Sequence, residues 1–389
     1  MRRKPQAFAH NVRLLKRVVP DSYWGFRTKA RNAEKVAEEF IAHVTDNLLW
    51  LYDQVPEDVR GRSKLWYSGG RELVTTLATE FNVPDRSVAA VFASLSPQKD
   101  WYQNASLGER VMDIYTTFTS GRRRAFVPDA AMKEKARQLF HKLPVEMIDD
   151  IMSRPFGDIT NLLHKAIWLR TYDEAHNPRG FRTLTPEGVW VGDIRGKVAW
   201  GTTPSIAKAI SAMEDSSREN INAVLGKKHK VRNFYNNLLA PDAPHGDITI
   251  DTHAVAAGLI APLSGSSTEV HHNFGTNPLK KNYPKGWRAT QAVGASGASG
   301  TYGLYADAYR RAAEARGVLP REMQSVTWEA IRGIFSPSYK GQKKNRNKIA
   351  SIWRQHESGA ITKQEAREVI LAEVNGIKNP DWFDARDTR

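Results

Sequence analysis

The stretch SRENINAVLGKKHKVRNFYNNLLAPDAPHGDITIDTHAVAAGL, residues 217–259, decides the fold. A short helical pattern ends at Gly226, and a second, basic helical pattern follows that glycine. A loop with proline and glycine then leads through the apolar run 248–250 to Asp251, which precedes a third helical pattern, Thr252–Gly258. The chain is therefore organised around a helical hairpin followed by one positioned carboxylate.

Positive charge is concentrated at the turn of this hairpin. Between Glu219 and Asp242 there is no acidic residue. The turn and the first turn of the second helix contain five basic or ionisable side chains: Lys227, Lys228, His229, Lys230 and Arg232. The N–H groups of a tight turn and of a helix N-terminus both attract anions. The pattern predicts a clamp for backbone phosphate; the alternative is an ordinary helical hairpin with a solvated lysine face.

Asp251 has two compatible roles. An aspartate just before a helix normally caps it, and the helix N-terminus stabilises the ionised carboxylate. An ionised acid near a lysine-rich turn is a candidate general base, or a stabiliser of a cationic transition state. His253 is expected to be structural. Asp247, Asp251 and His253 make only a weak metal-ligand pattern, so no metal and no cofactor are expected.

The overall charge favours a polyanionic partner. The 57 basic and 42 acidic residues give a formal net charge of +15, and basic side chains gain free energy by displacing counterions from phosphates. A generally basic protein without such a partner is the alternative. The absence of cysteine excludes disulfides, Fe–S clusters and a cysteine nucleophile, and it fits a reducing compartment such as the cytoplasm. No apolar stretch approaches the roughly 20 residues that span a bilayer, so no membrane partner is expected.

The remaining chain has a largely helical period, which predicts an all-α fold. Four regions are expected: an N-terminal helical region 1–64, a core 65–260 with the hairpin at 217–240 and an insertion at 172–200, a Gly/Ser-rich loop 261–300, and a C-terminal helical region 301–389. Within the insertion, a short β-hairpin across 189–191 and 198–200 is expected. The basic start of the chain indicates an arm or a first helix, with a mitochondrial presequence as the alternative.

The C-terminal region contains a second basic stretch, 339–354, with six basic side chains and no acid. Tyr339 and Trp353 in this stretch would stack on bases if the stretch binds nucleic acid. The alternative is a lysine-rich loop with one core tryptophan. Further along, Thr362 begins a capping-box pattern that predicts a last helix, Lys363–Val374.

Three motifs of the chain resemble those of a known enzyme superfamily. Residues 248–255, ITIDTHAV, resemble the V-D-T-H-V stretch of the helix-hairpin-helix DNA glycosylases, the endonuclease III superfamily. Residues 225–230, LGKKHK, are similar to the family hairpin L-P-G-x-G-x-K, and residues 93–100, ASLSPQKD, are similar to its L-L-S-x-Q-x-x-D. The three motifs stand in the family's order and frame roughly residues 65–260.

The resemblance implies a role for each matched residue. Asp251 would be the catalytic carboxylate, and Lys230 falls where bifunctional members carry the Schiff-base lysine. Gly226 matches the first hairpin glycine. Gln98 would enter the duplex where the base leaves, with Lys99 beside it on the DNA.

The chain also departs from the repair enzymes. Lys228 replaces the second hairpin glycine, there is no Fe–S loop, and residues 172–200 and 261–389 have no counterpart. The chain looks more like the glycosylase-fold branch found in bacteriophages. That branch includes the amino acid:DNA transferases, also called α-glutamyl/putrescinyl-thymine pyrophosphorylases, which are associated with thymine hypermodification.

The resemblance implies a two-lobed glycosylase-like fold with extra C-terminal helices, and double-stranded DNA across the cleft between the lobes. Chemistry on a base requires its extrusion from the stack. The first expectation is that an amine or amino acid displaces pyrophosphate from a modified thymine. The second is cleavage of the N-glycosidic bond, with water or Lys230 as nucleophile. The third is a non-enzymatic DNA-binding protein, which would not need Asp251.

Overall fold

The computed structural model describes residues 23–97, 99–120, 123–177, 180–196, 198–244, 246–275 and 300–377, together with Val12 and Leu15. The described chain is predominantly helical, which confirms the expected all-α class. Its elements, in chain order, are α1 (Ala33–Asp53), α2 (Glu57–Lys64), α3 (Trp66–Glu80), α4 (Asp85–Leu95), α5 (Trp101–Thr119), α6 (Ala130–Leu139), α7 (Val145–Ile151), a 3₁₀ turn (Phe156–Asp158), α8 (Leu162–His176), β1 (Phe181–Leu184), β2 (Trp190–Arg195), α9 (Thr203–Glu214), α10 (Arg218–Leu225), α11 (His229–Leu239), α12 (Thr252–Leu259), α13 (Thr268–Phe274), α14 (Tyr302–Arg316), α15 (Pro320–Ile334), α16 (Pro337–Gly341), α17 (Lys343–Glu357) and α18 (Lys363–Glu373).

The chain divides into two compact units. One contains the described residues up to Trp66 and those from Asp242 onward, and the other is Tyr67–Pro241. We call them the Asp251 unit and the hairpin unit. The four regions expected from the sequence stay predictions. Among the described helices, none has both the length and the apolar character needed to cross a bilayer.

The Asp251 unit is built on helices α1, α12, α14 and α15. Helix α1 begins where Asn32 caps it, because the Asn32 side chain accepts hydrogen bonds from the N–H groups of Glu34 and Lys35. Its apolar residues at helical spacing, among them Phe40 and Leu48, are fully buried. Each such side chain contributes about 1.5–3 kcal/mol by leaving water. The amphipathic period of α1 therefore determines which face joins the core.

The C-terminal helices complete this unit. Thr362 Oγ1 accepts from the N–H of Glu365 at 3.1 Å, and the Glu365 carboxylate accepts from the N–H of Thr362 at 2.6 Å, so the predicted capping box is confirmed. Trp353 is 1% exposed, and its Nε1 donates to Ile260 O at 3.2 Å. Of the two alternatives for this stretch, base stacking by Trp353 is therefore wrong and the core tryptophan is confirmed, although it lies on a helix and not in a loop. The helical period of α17 places Trp353 on the inward face, while the lysines of the same helix face outward.

The hairpin unit contains the insertion 172–200, whose β-hairpin differs from the prediction. The strands are β1 and β2, and their register places Thr183 opposite Val191; residues 198–200 form no strand. The turn between the strands packs on α3, where a Cβ added to Gly69 would lie 1.9 Å from Pro186 O. Gly188 has a φ of +85°, which only glycine adopts readily in such a turn. The prediction was right that the insertion contains a hairpin with a strand at 190–191, but wrong about its partner strand, which is β1 and precedes the turn.

A buried aspartate ties the insertion to the unit. Asp173, near the end of α8, accepts from Trp200 Nε1 at 2.8 Å, from Asn177 Nδ2 at 2.7 Å and from Arg110 Nη1 at 3.3 Å. A buried carboxylate is costly unless it is paired and hydrogen-bonded, and here both oxygens have donors. Residues at both ends of the insertion are thus fixed to α5 and α8.

Candidate functional site

The predicted helical hairpin is present in the hairpin unit. Ser217 caps α10, because its Oγ accepts from the N–H of Asn220 at 3.2 Å. Gly226 follows α10 with φ +62° and ψ −148°, a backbone conformation essentially restricted to glycine. The nearest atom to a Cβ added there is Lys208 Nζ at 3.9 Å. Glycine is therefore required by the backbone conformation of the turn and not by lack of space.

Arg232 braces this turn. Its Nε donates to Gly226 O, and its Nη1 and Nη2 donate to the Oδ1 and O of Asn222 at 3.1 and 3.0 Å. Asn222 O also accepts from the N–H of Gly226 at 3.1 Å, so the Arg232 guanidinium joins the last turn of α10 to the carbonyl of the turn glycine. The structure thus gives Arg232 a part in holding the hairpin, and its predicted DNA contact stays a prediction.

The other predicted phosphate-binding residues lie together at the hairpin. Lys227 and Lys228 are exposed, and His229 and Lys230 are half-buried in the first turn of α11. Lys228 is the N-cap residue of α11 and makes no side-chain cap bond. The sequence did not single out Lys208 on α9. Burial and the positive charge of Lys228 lower the pKa of Lys208, so a further cation crowds the turn.

The structure describes only part of the motif at residues 93–100. Gln98 lies outside the described residues. Lys99 is half-buried, and burial lowers the pKa of its ammonium group, while Asp100 acts in the opposite direction. Asp100 caps α5 by accepting from the N–H of Gln103 at 2.9 Å. The DNA contacts expected of Gln98 and Lys99 stay predictions.

Asp251 lies in the other unit and is held through both carboxylate oxygens. Oδ1 accepts from the N–H of Ala254 at 2.9 Å, which confirms the predicted cap of α12. Oδ2 accepts from Trp328 Nε1 at 3.3 Å. The preceding run is fixed by Tyr302, whose hydroxyl donates to Ile248 O at 2.6 Å and accepts from Ile250 N at 3.0 Å. One oxygen of the Asp251 carboxylate is therefore held by a backbone N–H group and the other by the indole of Trp328.

Trp328 on α15 is the centre of this group. The ring centroids of Trp66 and His253 lie 5.5 and 5.6 Å from that of Trp328, both edge to face. The guanidinium carbon of Arg332 lies 4.3 Å from the Trp328 ring centroid, within the range of a cation–π contact. We call Asp251, Trp328, Trp66, His253 and Arg332 the indole cluster. Of its members, the sequence had singled out only Asp251 and His253.

Glu329, the neighbour of Trp328, is a buried acid. Trp66 Nε1 donates to Glu329 Oε1 at 2.6 Å, and Ser63 Oγ lies 2.5 Å from Glu329 Oε2. The single Ser63 hydroxyl hydrogen also has Val59 O at 2.8 Å as an acceptor. If Ser63 donates to Val59, the Glu329 carboxyl is the donor in the other bond, which requires its neutral form. Burial raises the pKa of Glu329 to about 7, against smaller opposing effects of Ser63 and Trp66, which favours the neutral acid below that pH.

Lys340 on the short helix α16 belongs to the same electrostatic environment. Burial and the positive charge of Arg332 lower the pKa of Lys340 to about 8, although Asp251 acts in the opposite direction. Lys340 was part of the basic stretch 339–354 in the sequence, with nothing to distinguish it from its neighbours. The charges that act on it come from Arg332, which is close in the sequence, and from Asp251, which is far away along the chain.

The predicted site residues are distributed over the two units. Gly226 to Arg232 form one surface of the hairpin unit, whereas Asp251 belongs to the other unit. The candidate pair Lys230 and Asp251 is therefore divided between the units. Across the described ranges, no group of three or more His, Cys, Asp or Glu side chains is arranged to hold a metal ion.

Comparison with known proteins gives one match. A model of a family of unknown function (DUF7178) matches residues 30–148 and 286–335, which is under half of the chain. The matched segments contain Trp66 and Trp328 but neither Asp251 nor the hairpin. No curated protein matches the chain, and no solved structure does.

Proposed function

We propose that this protein is a DNA base-modifying enzyme with a helix-hairpin-helix glycosylase-like fold. Its reaction is the replacement of pyrophosphate on a modified thymine by an amine or amino acid, in the manner of phage thymine hypermodification. The observation that carries the proposal is the indole cluster: one carboxylate, fixed through both oxygens, beside aromatic rings and a cation. Such a group suits an extruded base, because aromatic side chains stack on bases in a sequence-tolerant way.

The hairpin supports DNA as the partner. Exposed lysines at a glycine turn, followed by a helix N-terminus, suit contact with backbone phosphates. In this proposal the hairpin binds double-stranded DNA, and the basic excess of the chain strengthens that binding at low salt. The hairpin thus supplies affinity, and Asp251 supplies chemistry on the extruded nucleotide.

The proposed reaction balances as a substitution. The nitrogen lone pair of the amine forms a C–N bond to the thymine 5-methylene carbon while the C–O bond to pyrophosphate breaks. The pyrophosphate leaves with the electron pair of that bond. The new ammonium loses one proton, which Asp251 accepts. A positioned carboxylate acting as general base contributes roughly 10²–10⁴-fold to a rate.

Base excision is the second candidate, and Lys230 is the observation that favours it. Lys230 is half-buried in the first turn of α11, at the position of the Schiff-base lysine in the family motif. Lys227 and Lys228 precede it in the same turn, and Lys228 acts electrostatically on Lys208. A lysine acts as a nucleophile only as the neutral amine, and in this candidate reaction Lys230 attacks the sugar carbon in that form. In this case Asp251 would stabilise the oxocarbenium-like sugar.

The test is a product analysis with the full chain. Duplex DNA with pyrophosphorylated thymine is incubated with single amines and amino acids, and its nucleosides are examined by mass spectrometry. A new nucleoside carrying the amine is expected. Free base, or a borohydride-trapped adduct on Lys230, would instead establish excision. If neither product forms with any amine, both enzyme proposals fail and the non-enzymatic DNA-binding protein is left.

A further inference from the structure

A cavity of about 170 Å³ lies within the Asp251 unit, at the first turn of α2. An engineered apolar cavity of about 150 Å³ in another protein accepts benzene, so this volume holds roughly six non-hydrogen atoms. The lining comes from α2, from α15 and from the chain after α18: Val55, Pro56, Asp58, Val59, Glu329, Ala330 and Ile377. None of these residues belongs to the indole cluster, so the cavity is distinct from the proposed reaction site.

The lining is apolar apart from two carboxyl groups. Five of the seven lining residues are Val, Pro, Ala or Ile, and the other two are Asp58 and Glu329. Asp58 is exposed, whereas Glu329 is fully buried, so the acids belong to the outer and the inner part of the lining. Among the described residues that line the cavity, none is basic, which disfavours an anionic occupant. An occupant that matches this lining has an apolar body and a positive charge.

Glu329 can bind such a charge in addition to its present partners. Its Oε1 accepts from Trp66 Nε1 at 2.6 Å, and its Oε2 bonds to Ser63 Oγ at 2.5 Å. Each oxygen of an ionised carboxylate accepts two hydrogen bonds, so both retain acceptor capacity. Burial raises the pKa of Glu329 to about 7, and the charges of Arg62 and Arg332 act in the opposite direction. A bound cation also favours the ionised form, so its binding releases a proton near neutral pH.

We propose that this cavity is a binding site for a small alkylammonium ion, with the ammonium group at Glu329 and Asp58 and the alkyl chain against the apolar walls. A chain of about four carbons, together with the nitrogen, fits the volume and gains free energy by leaving water. An amino acid is disfavoured, because its carboxylate would lie beside the two acids. The inference goes beyond the proposed function and does not depend on it.

The first experiment compares four small molecules on the wild-type protein at pH 8. Ligand-observed NMR titrations give the Kd of butylammonium chloride, methylammonium chloride, butanol and sodium butyrate. We expect butylammonium to bind about tenfold or more tightly than each of the others, because methylammonium lacks the apolar body and butanol and butyrate lack the positive charge. Butanol or butyrate binding as tightly as butylammonium overturns the proposal, and so does the absence of butylammonium binding.

The second experiment repeats the butylammonium titration at pH 5.5. The ligand is cationic at both pH values, as a lysine ammonium group is. Glu329, with its pKa of about 7, is mostly ionised at pH 8 and mostly neutral at pH 5.5. We expect a Kd about tenfold weaker at pH 5.5, and Glu329→Gln should bind weakly at both values. An equal Kd of the wild-type protein at both pH values contradicts the role of Glu329.

The third experiment uses matched variants in the first turn of α2, Asp58→Asn and Glu57→Gln. Both acids are exposed, but only Asp58 lines the cavity. We expect the Kd of butylammonium to weaken about threefold in Asp58→Asn, as for loss of an exposed ion pair, and to stay at the wild-type value in Glu57→Gln. Equal weakening in both variants contradicts a contact with Asp58. None of these titrations involves DNA or turnover, so their outcome is independent of the proposed function.

Discussion

The hairpin and the indole cluster differ in how their residues are brought together. The hairpin takes its residues from one continuous stretch, 217–239, and the lysines of its turn, Lys227 and Lys228, are exposed. The indole cluster joins residues that are 77 positions apart in the Asp251–Trp328 bond, and the neighbouring Trp66–Glu329 bond spans 263 positions. Repeated surface charge suits binding of a polymer, whereas a half-buried acid with fixed partners suits chemistry at one atom. We therefore expect the hairpin to control the affinity for DNA and the indole cluster to control the rate of the chemical step.

The largest expected effect is on the rate of the chemical step. Asp251→Asn preserves the cap of α12, because asparagine caps helices as well as aspartate does, but it removes the proton acceptor. We expect a loss of roughly 10²–10⁴-fold in the single-turnover rate of nucleoside formation, with DNA affinity retained. Asp247→Asn, in the same loop, is the control and should retain the rate. Equal losses in both variants would show that loop structure matters and not the acid.

The next effect is on stability and concerns Glu329. Because burial raises the pKa of Glu329 from 4.5 to about 7, the folded protein holds its proton more tightly than the unfolded chain does. The contribution of Glu329 to the free energy of unfolding is thus full below pH 4.5, falls as the pH rises, and is lost above about pH 7. The total loss is about 3 kcal/mol.

Glu329→Gln stays neutral and removes this dependence. Urea unfolding of both proteins at pH 5 and pH 7.5 is the measurement, and the difference between them isolates Glu329 from other titrating groups such as Glu269. Parallel behaviour of the two proteins over this range would mean that Glu329 is ionised in the fold.

The third expected effect is on the stability and DNA affinity of the hairpin turn. Gly226→Ala places a side chain at φ +62°, which costs about 1–3 kcal/mol of stability and distorts the turn that presents the lysines. Weaker DNA binding should accompany the lower free energy of unfolding. Gly201→Ala is the control, since Gly201 has open space around it and no positive φ. Denaturant titration and fluorescence anisotropy measure the two quantities, and a Gly226→Ala protein as stable as Gly201→Ala contradicts the assigned turn.

The smallest expected effect is on salt dependence. Replacing Lys227 and Lys228 by Gln should lower the slope of log K against log salt by about 1.8, if each lysine contacts one phosphate. The paired change Lys135→Gln and Lys142→Gln removes the same charge elsewhere on the hairpin unit and should alter the slope far less. The same slope change in both double variants would assign DNA binding to net charge alone.

The sequence predicted those features that depend on near neighbours. The cap at Asp251, the turn at Gly226 and the capping box at Thr362 each rest on residues a few positions apart, where local hydrogen bonds decide the structure. Trp328 and Glu329 could not be singled out, since their partners Asp251 and Trp66 are distant along the chain. For Trp353 the sequence left base stacking and a core position open, because the lysines around it concealed the inward face of α17, and its burial decides for the core.

The most direct test measures both regions in one assay. Single-turnover rates of nucleoside formation are determined over a range of duplex concentrations for Asp251→Asn and for the Lys227→Gln, Lys228→Gln double variant. We expect Asp251→Asn to lose the maximal rate at an unchanged Kd, whereas the lysine variant should have a weaker Kd and reach the wild-type maximal rate. A wild-type maximal rate in Asp251→Asn would contradict the assignment of chemistry to Asp251.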